Sequence, residues 1–346
     1  MKDVLIEDFK RITERDIPWD ELRNKTFFIT GATGLVGSLL VKFLLYANQT
    51  ISLNAKIYAV VRNTEKADRI FAEEKTDALS YVVADLATEK VSYDGDCDFM
   101  IHAAAVTASK VMVSDPVGTI RTAIDGTEKM LQLAVEKKTK AFIYISSMEI
   151  YGQPKSEGKT AEKDLGYVDI ETVRSCYPEG KRMCECMCTA YAAQYGVNVI
   201  SARLAQTFGA GILPTENRVF AQFARSAVNG ENIVLHTTGE SEGNYVYTAD
   251  AIAAILTLLV KGAAGEAYNI ANEESHITIR NMAELVAKEI AGGKIQAVID
   301  IPEDSASLGY APPVKMWLDA SKMRALGWTP EVGLIDAYKR MIRWME

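Results

Sequence analysis

Short apolar runs alternate with amphipathic stretches along most of the first 270 residues. Uninterrupted apolar runs are typical of buried strands, whereas apolar residues at a spacing of three and four are typical of helices. Strands that alternate with helices predict a parallel sheet covered on both faces. The predicted strands are 26–30, 56–61, 79–86, 98–104, 140–147, 197–204 and 267–271, and the predicted helices are 38–46, 64–75, 116–137, 181–195 and 249–261.

The alternation of predicted strands and helices becomes irregular after residue 204, and 209–217 has the composition of a loop. Three further helices are predicted beyond the last strand, separated by connections rich in proline and glycine: 278–291, 321–326 and 334–344. This change indicates a smaller second lobe whose segments are interleaved with the last elements of the sheet. No single linker therefore separates the two lobes.

These patterns predict a doubly wound α/β fold of the Rossmann type with a smaller, mostly helical C-terminal substrate lobe. The dinucleotide-binding domain is expected to take 25–204 plus about 245–272, and the substrate lobe about 205–244 plus 273–346. Residues 1–24 are charged and amphipathic, which predicts a helical N-terminal extension.

Composition places the chain among ordinary globular enzymes. It has 346 residues, of which 48% are hydrophobic and 24% charged, so it can bury a sizeable core. A net charge of −8 and a pI near 5.2 argue against nucleic acid or an anionic membrane as partner. The N-terminus has no apolar core of a signal peptide, and the apolar runs are too short to span a bilayer. We therefore expect a cytoplasmic protein.

Five cysteines are compatible with a reducing compartment, but three of them cluster at Cys184, Cys186 and Cys188, with Cys176 upstream. On a helix, Cys184 and Cys188 share one face while Cys186 points away. Only three histidines exist to complete a metal site. We expect small buried helix residues, with a metal or iron–sulfur site as the alternative, and the sequence does not identify the role of Cys184, Cys186 and Cys188.

A glycine-spaced turn, Gly31-Ala-Thr-Gly34-Leu-Val-Gly37, joins the first strand of the predicted sheet to a helix. A helix N-terminus offers unpaired N–H groups to a pyrophosphate, and glycines let the backbone approach it closely. A tight turn without a ligand is the alternative. The strand before the turn and the helix after it favour a dinucleotide site.

A tyrosine and a lysine four residues apart, Tyr177 and Lys181, lie on another predicted helix segment. A tyrosine with its ordinary pKa near 10 is a poor base at neutral pH unless a cation stabilises the phenolate. Lys181 would be that cation, and a nicotinamide would add positive charge. Tyr177 could then take a proton from a hydroxyl while hydride leaves the same carbon. The alternative is a surface tyrosine stacked beside a lysine.

The strand 141–145 continues into Ser146, Ser147, Met148 and Glu149. This places hydroxyl groups and a carboxylate at the carboxyl edge of the sheet, where ligands bind in such folds. Ser147 could hold a substrate oxygen. The alternative is a turn that only caps the following segment.

The end of the second strand bears on the choice of cofactor. An acidic residue there would bind the ribose of NAD, but this chain has Arg62 followed by Asn63. Arg62 could pair with the 2′-phosphate of NADP or stack on adenine, so we expect NAD(P) with a preference for NADP. A solvated loop arginine is the alternative. Asp85, after the third strand, could contact adenine.

With these residues in place, the chain resembles the extended short-chain dehydrogenases/reductases of the nucleotide-sugar epimerase/dehydratase family. The stretch 174–182 (RSCYPEGKR) is most similar to UDP-glucuronate decarboxylases. The resemblance covers nearly everything after residue 25 and rests on motifs in the order of the family: TGATGLVG (30–37), HAAA (102–105), SSMEIYG (146–152), YPEGK (177–181), RLAQTFG (203–209) and YVYTADAIAAI (245–255).

The resemblance implies a nucleotide sugar that is oxidised transiently by a bound nicotinamide, altered, and usually reduced again. It implies Tyr177 as base, Lys181 as its partner, Ser147 as donor to the substrate oxygen and Glu149 as the acidic residue. It also implies a homodimer paired through helices 116–137 and 181–195. The dinucleotide contacts would come from Gly31, Thr33, Gly34, Leu35, Val36, Gly37, Arg62, Asp85, Leu86, Ala103, Ala104, Ala105 and Lys181.

Three positions depart from the family pattern. Sugar 4,6-dehydratases carry Asp-Glu where this chain has Met148 and Glu149, which disfavours dehydration. Decarboxylases place an arginine where this chain has Gly243, which weakens decarboxylation. An asparagine usual on the long middle helix is replaced by Ala123. The favoured functions are therefore a 4-epimerase or a ketosugar reductase, with a decarboxylase as the alternative.

A non-catalytic NAD(P)-binding regulator of the same fold is the alternative of another class, because fold does not fix function. The intact set of Ser147, Tyr177 and Lys181 argues against it. The sequence does not identify the nucleotide or the sugar.

Overall fold

The computed structural model describes residues 1–154, 158–302 and 314–346, so 303–313 of the expected substrate lobe lie outside the described residues. Twelve strands are described in this part of the chain. In chain order they are β1 (Thr26–Thr30), β2 (Lys56–Val61), β3 (Leu79–Val83), β4 (Phe99–His102), β5 (Ala141–Ser147), β6 (Val199–Leu204), β7 (Gln206–Phe208), β8 (Ile233–Leu235), β9 (Glu242–Tyr247), β10 (Ala267–Ile270), β11 (Asn272–Thr278) and β12 (Ala297–Ile299).

Helices connect these strands and cover the sheets. They are α1 (Asp3–Thr13), α2 (Trp19–Leu22), α3 (Leu35–Thr50), α4 (Thr64–Phe71), α5 (Ser109–Ser114), α6 (Pro116–Lys137), α7 (Cys176–Tyr195), α8 (Val219–Asn229), α9 (Thr248–Lys261), α10 (Ile279–Leu285), α11 (Ser321–Arg324) and α12 (Leu334–Met345). Short 3-10 turns at Met148–Tyr151 and Val173–Ser175 and a π-helical turn at Val286–Ile290 complete the set.

Seven strands form one parallel sheet in the order β10-β6-β5-β4-β1-β2-β3. The chain crosses from one side of β1 to the other after β3, and Thr30 at the end of β1 pairs with His102 at the end of β4. The carboxyl ends of β1 and β4 therefore flank the point where strand order reverses, which is where dinucleotides bind in such sheets. The predicted doubly wound α/β fold is confirmed.

Both faces of the sheet are buried. Phe27 and Ile29 of β1 contribute to a core shared with α3 and α9, whereas Phe28 contributes to a second core with α6 and α7. Strands that are buried on both faces do not alternate between apolar and polar residues as strands of a half-exposed sheet do. This explains why their sequences are uninterrupted apolar runs.

Two smaller sheets lie outside the main one. They have the orders β11-β9-β7 and β12-β8, and β7, β8 and β12 are only three residues long. Strands this short show no readable periodicity, so the sequence patterns did not predict these sheets. The helix expected over 278–291 is in fact α10 followed by the π-helical turn.

The strand expected over 79–86 ends earlier, at Val83. Asp85 stops it because its side chain Oδ1 accepts a hydrogen bond from the N–H of Ala87 at 2.9 Å, a local turn that competes with strand pairing. Asp85 and Leu86 therefore lie on a loop at the carboxyl edge of the sheet.

The N-terminal extension packs against the rest of the chain through the buried residues Leu5, Phe9 and Ile12. Asp8 on the same helix accepts a hydrogen bond from Tyr247 and pairs with Arg340 at 2.9 Å, so it links β9 to α12. Among the described residues, no helix combines the length and the apolar character needed to cross a membrane.

Candidate active site

The glycine turn after β1 is shaped by close backbone contacts. Gly31 has a φ of +64°, and a Cβ at this position would lie 2.6 Å from the carbonyl carbon of Ala103. A Cβ at Gly37 would lie 2.3 Å from the oxygen of Gly31. Neither position can hold a side chain without moving backbone, because Cβ atoms essentially never approach so closely.

The turn leaves hydrogen-bond donors at the start of α3. Gly34 occupies the N-cap and its N–H donates to the oxygen of Gly31 at 2.9 Å, but no side chain caps the helix. The first-turn N–H groups of Leu35 and Val36 are thus offered to a ligand, and the positive end of the helix dipole lies with them. A backbone cradle of this kind fits a pyrophosphate.

The other residues expected to bind the dinucleotide lie at the same edge of the main sheet as the glycine turn. Thr33, Leu35 and Val36 are partly buried in the turn, and the chain after β4 lies opposite, where Ala103, Ala104 and Ala105 are also partly buried. Leu86 is buried. Arg62 directly follows β2 and is exposed, and Asp85 follows β3. Because β2 and β3 run parallel beside β1, all of these residues lie at one edge of the sheet.

Tyr177 and Lys181 lie in the first turns of α7, which begins at Cys176 rather than at the expected residue 181. The Nζ of Lys181 donates to the carbonyl oxygen of Ile145 at 2.7 Å and lies 5.9 Å from the centre of the Tyr177 ring. Ser147 ends β5, and its Oγ accepts from the N–H of Glu149 at 3.2 Å. The fold therefore brings Ser147, Tyr177 and Lys181 together.

The protein surroundings shift both pKa values of the pair. Burial raises the pKa of Tyr177 to about 12, the carboxylate of Glu149 adds to the rise, and Ser147 and Arg174 oppose it. Burial also lowers the pKa of Lys181 to about 8. Desolvation therefore dominates at Tyr177, and the role of Lys181 as the cation that stabilises the phenolate, together with a nicotinamide, stays a prediction.

Arg174 is a site residue that the sequence reasoning used only as part of a motif. It lies on the short 3-10 turn before α7, and its Nη2 is 2.8 Å and 3.0 Å from the two carboxylate oxygens of Glu149. Its guanidinium carbon lies 5.7 Å from the centre of the Tyr177 ring. Its position three residues before the tyrosine is the signal that could have drawn attention to it.

His102 enters the sequence reasoning only as a possible metal ligand and as part of a motif. Its Nδ1 lies 2.7 Å from the hydroxyl of Thr30, and its Nε2 lies 3.2 Å from that of Thr127. Thr30 in turn accepts from the N–H of Ala104 at 3.2 Å. Burial lowers the pKa of His102 to about 3, so the ring is neutral and ties the ends of β1 and β4 together.

The three departures from the family pattern can also be placed. A Cβ built on Gly243 would lie 3.9 Å from the Cε of Met148, so these two departures are neighbours. Ala123 on α6 faces Gly180 on α7, where a Cβ would be 3.5 Å from that of Ala123. The carbonyl oxygen of Ala123 accepts from the thiol of Cys184 at 3.2 Å. Ala123 thus belongs to the packing between α6 and α7.

The cysteines of α7 behave as their spacing predicts. Cys184 and Cys188 are buried in the core between α7 and the sheet, whereas Cys186 is exposed. All five cysteines of the chain are free. Within 1–154, 158–302 and 314–346, no group of three or more histidine, cysteine, aspartate or glutamate side chains is arranged to hold a metal ion.

Curated relatives resemble the chain over most of its length. A UDP-glucuronic acid decarboxylase from Arabidopsis thaliana is 30% identical over 336 residues, covering 92% of this chain and 90% of the relative. A UDP-glucuronic acid decarboxylase from Xenopus tropicalis is 26% identical, covering 94% of this chain and 73% of the relative. A dTDP-D-glucose 4,6-dehydratase from Bos taurus is 25% identical over 92% of this chain and 88% of its own.

Solved structures share the fold. The UDP-glucose 4-epimerase of Thermotoga maritima superposes with a TM-score of 0.76 at 22% identity, covering 92% of this chain and 98% of its own. The UDP-glucuronic acid 4-epimerase of Bacillus cereus, solved in complex with NAD, gives a TM-score of 0.73 at 20% identity, covering the same shares.

The sequence model of the NAD dependent epimerase/dehydratase family matches residues 27–271. This range begins in β1 and ends after β10, so it includes the glycine turn, Ser147, Tyr177 and Lys181. The resemblance stated from the sequence motifs is confirmed, and the protein belongs to the NAD-dependent epimerase/dehydratase family of enzymes.

Proposed function

We propose that the protein converts a nucleotide sugar by hydride transfer at a sugar carbon, as a 4-epimerase or a ketosugar reductase. The observation that carries this proposal is the placement of Ser147, Tyr177 and Lys181 at the same sheet edge as the glycine turn. Proton transfer and dinucleotide binding then share one crevice. The lobe about 205–244 plus 273–346 would bind the sugar nucleotide.

The residues have distinct roles in this proposal. NAD(P), when bound, would accept a hydride in its oxidised form, which adds a positive charge to the site, and would donate a hydride in its reduced form. Tyr177 takes the proton of the sugar hydroxyl when the carbon is oxidised and gives a proton to the carbonyl oxygen when the carbon is reduced, and Ser147 donates a hydrogen bond to the same oxygen. Lys181 stays fixed on the carbonyl of Ile145 and is protonated at neutral pH, because its pKa is about 8. Glu149 is the acidic residue of the site.

Decarboxylation of a UDP-glucuronate-like substrate is the second candidate. It is favoured by the decarboxylases among the curated relatives and by the presence of Glu149, and it is weakened by Gly243. Dehydration is disfavoured because Met148 has no proton to donate.

The test is to strip the enzyme of bound nucleotide and incubate it with a panel of nucleotide hexoses, uronates and ketosugars, with NAD(P) in its oxidised or reduced form. Mass and NMR then identify the products: an epimer keeps its mass, a reduced ketosugar gains two hydrogens, and a decarboxylated product loses carbon dioxide. Tyr177→Phe is the matched control. If no nucleotide sugar in the panel is converted by the wild type, the proposed function is wrong.

We also propose that the cofactor is NADP in preference to NAD. Arg62 directly follows β2, is exposed, and has no carboxylate partner among the described residues. Its guanidinium could therefore pair with a 2′-phosphate. The epimerase of Bacillus cereus was solved with NAD, so NAD is the alternative that the cofactor titration must exclude.

A homodimer is proposed from the exposed faces of α6 and α7. Val117 and Ile120 on α6 and Met183 on α7 are exposed apolar residues, and pairing across a two-fold axis would bury them. Light scattering at micromolar concentration should give twice the chain mass, and Val117→Asp with Met183→Glu should give one chain mass. The control Val228→Asp lies on another exposed apolar position and should leave the dimer intact. A monomeric wild type would refute the proposal.

A cytoplasmic location is proposed from the cysteines. All five thiols are free, which is expected in a reducing compartment.

A further inference from the structure

We propose that Arg174 is a positioning residue that sets the proton affinity of Tyr177 by neutralising the carboxylate of Glu149. The inference rests on the proposed function, since Tyr177 is taken as the proton acceptor. Hydride transfer as proposed above uses Ser147, Tyr177 and Lys181 and gives Arg174 no role, and this inference assigns it one.

Arg174 lies close to both Glu149 and Tyr177. The carboxylate of Glu149 lies on the 3-10 turn after β5, and Arg174 lies on the 3-10 turn before α7. One guanidinium nitrogen of Arg174 is within 3.0 Å of both carboxylate oxygens. The same guanidinium lies 5.7 Å from the ring centre of Tyr177. Arg174 therefore contacts the carboxylate while it lies close to the tyrosine.

The charges around Tyr177 come from several elements. Glu149 is the negative group, and Arg174, Arg218 before α8 and Lys181 on α7 are the positive ones. Tyr144 of β5 and Cys176 on α7 are neutral neighbours with raised pKa values. Without Arg174, Glu149 would be an uncompensated carboxylate beside a tyrosine that must become a phenolate. Like charges close together favour the protonated form of one of them.

A second arginine–glutamate pair in the chain shows what a structural pair looks like. Arg203 and Glu185 are joined by three hydrogen bonds of 2.6 to 3.1 Å, and their side chains are only 7% and 11% exposed. Arg174 and Glu149 use a single nitrogen and are 26% and 32% exposed. A partly solvated ion pair with one donor nitrogen contributes little to the free energy of unfolding. Stabilisation of the fold therefore does not explain why Arg174 and Glu149 are paired.

The experiment is a pH profile of kcat/KM in the direction in which the sugar carbon is oxidised and Tyr177 accepts a proton, with the nucleotide sugar that the panel identifies or, for a reductase, with its product. Arg174→Met should move the acid limb to higher pH by about one unit and reduce kcat/KM at pH 7 about tenfold. Arg174→Lys should keep most of the wild-type profile because it keeps the charge. Glu149→Gln should move the limb to lower pH, and adding Glu149→Gln to Arg174→Met should remove most of the shift.

Arg280→Met is the matched control, since Arg280 pairs with Glu284 at 3.2 Å on an exposed helix surface. It should leave the profile unchanged. An unshifted limb in Arg174→Met, or an equal shift with and without Glu149→Gln, would overturn the proposal. A fold defect is recognised because it would lower the rate at every pH without moving the limb.

A second readout needs no substrate. Tyrosinate absorbance is titrated in the wild type and in Glu149→Gln, and the titration of the corresponding Tyr177→Phe protein is subtracted from each. The midpoint for Tyr177 should be lower in Glu149→Gln than in the wild type. Equal midpoints would refute the influence of Glu149 even if the panel finds no substrate, whereas a failed panel with unequal midpoints would reject only the proposed function.

Discussion

Two walls of the candidate site are built from different parts of the chain. The glycine wall consists of the turn 31–37 and the facing segment 103–105, and its shape is set by backbone atoms 2.3 to 2.7 Å from where a Cβ would stand. The base wall consists of Ser147, Glu149, Arg174, Tyr177 and Lys181, and its chemistry is set by charged and hydroxyl side chains.

This difference decides what each wall can tolerate. Backbone contacts leave no freedom, so a single added methyl group changes the shape of the glycine wall. Side-chain charges act over several ångströms and partly compensate one another, so substitutions in the base wall should change pKa values and rates more than shape.

The largest effect on stability is expected in the glycine wall. Gly31→Ala places a Cβ at a φ of +64° and 2.6 Å from the backbone of Ala103. Strain of about 1–2 kcal/mol from the left-handed conformation and about 1–3 kcal/mol from overpacking should lower the free energy of unfolding by about 2–5 kcal/mol. Dinucleotide binding should be lost with it. Urea unfolding and calorimetric titration measure the two effects.

Gly196→Ala is the control for the conformational part of this cost. Gly196 has a similar φ of +68°, but nothing lies within 4 Å of its Cβ position. It should lose only about 1–2 kcal/mol and keep its affinity for the cofactor. An equal loss in both variants would mean that the close approach to Ala103 has no energetic weight.

The choice between NAD and NADP can be tested at Arg62, which lies at the same sheet edge as the glycine wall. If Arg62 meets a 2′-phosphate, Arg62→Ala should weaken NADP by about 1.5–3 kcal/mol and hardly change NAD. Fluorescence or calorimetric titration of both cofactors, after unfolding and stripping, measures the difference. The neighbouring Lys66→Ala on α4 is a matched loss of one exposed positive charge. A wild type that prefers NAD, or equal weakening of both cofactors, would show that Arg62 does not select NADP.

The base wall should make stability depend on pH through Lys181. Its pKa is about 8 in the folded protein and near 10.4 in the unfolded chain, so the folded state binds fewer protons between these values. The free energy of unfolding must then rise with pH between these two values, because Lys181 loses its proton at a lower pH in the folded state than in the unfolded chain. Relative to Lys181→Met, the wild type should gain about 2 kcal/mol between about pH 7 and 9.5.

Unfolding by urea at the two pH values measures this gain. The control is Lys129→Met, at a partly exposed lysine that donates to the carbonyl of Leu86. The difference in unfolding free energy between the wild type and this control should be the same at both pH values. A difference between wild type and Lys181→Met that stays constant with pH would contradict the lowered pKa of Lys181.

The comparison of the walls also explains what the sequence could predict. The glycine turn is local, so Gly31, Gly34 and Gly37 could be placed from spacing and from the strand and helix around them. Tyr177 and Lys181 are four residues apart on one helix, which is again a local relation.

The rest of the base wall depends on contacts between distant segments. Arg174 and Glu149 are 25 residues apart and meet only because two short 3-10 turns end at the same sheet edge. Burial is likewise a property of the folded chain, which is why the spacing of Tyr177 and Lys181 could not show that desolvation raises the pKa of Tyr177. The short strands β7, β8 and β12 have too few residues to show a period.

The central claim is that Tyr177 moves the proton that accompanies hydride transfer. Its most direct test is to load the wild type and Tyr177→Phe with the oxidised cofactor for a sugar alcohol, or with the reduced cofactor for a ketosugar, to mix each with the sugar nucleotide found by the panel, and to follow the absorbance of reduced nicotinamide. The variant should bind the cofactor normally but change this absorbance at least about a hundredfold more slowly. A change at the wild-type rate in Tyr177→Phe would contradict the account.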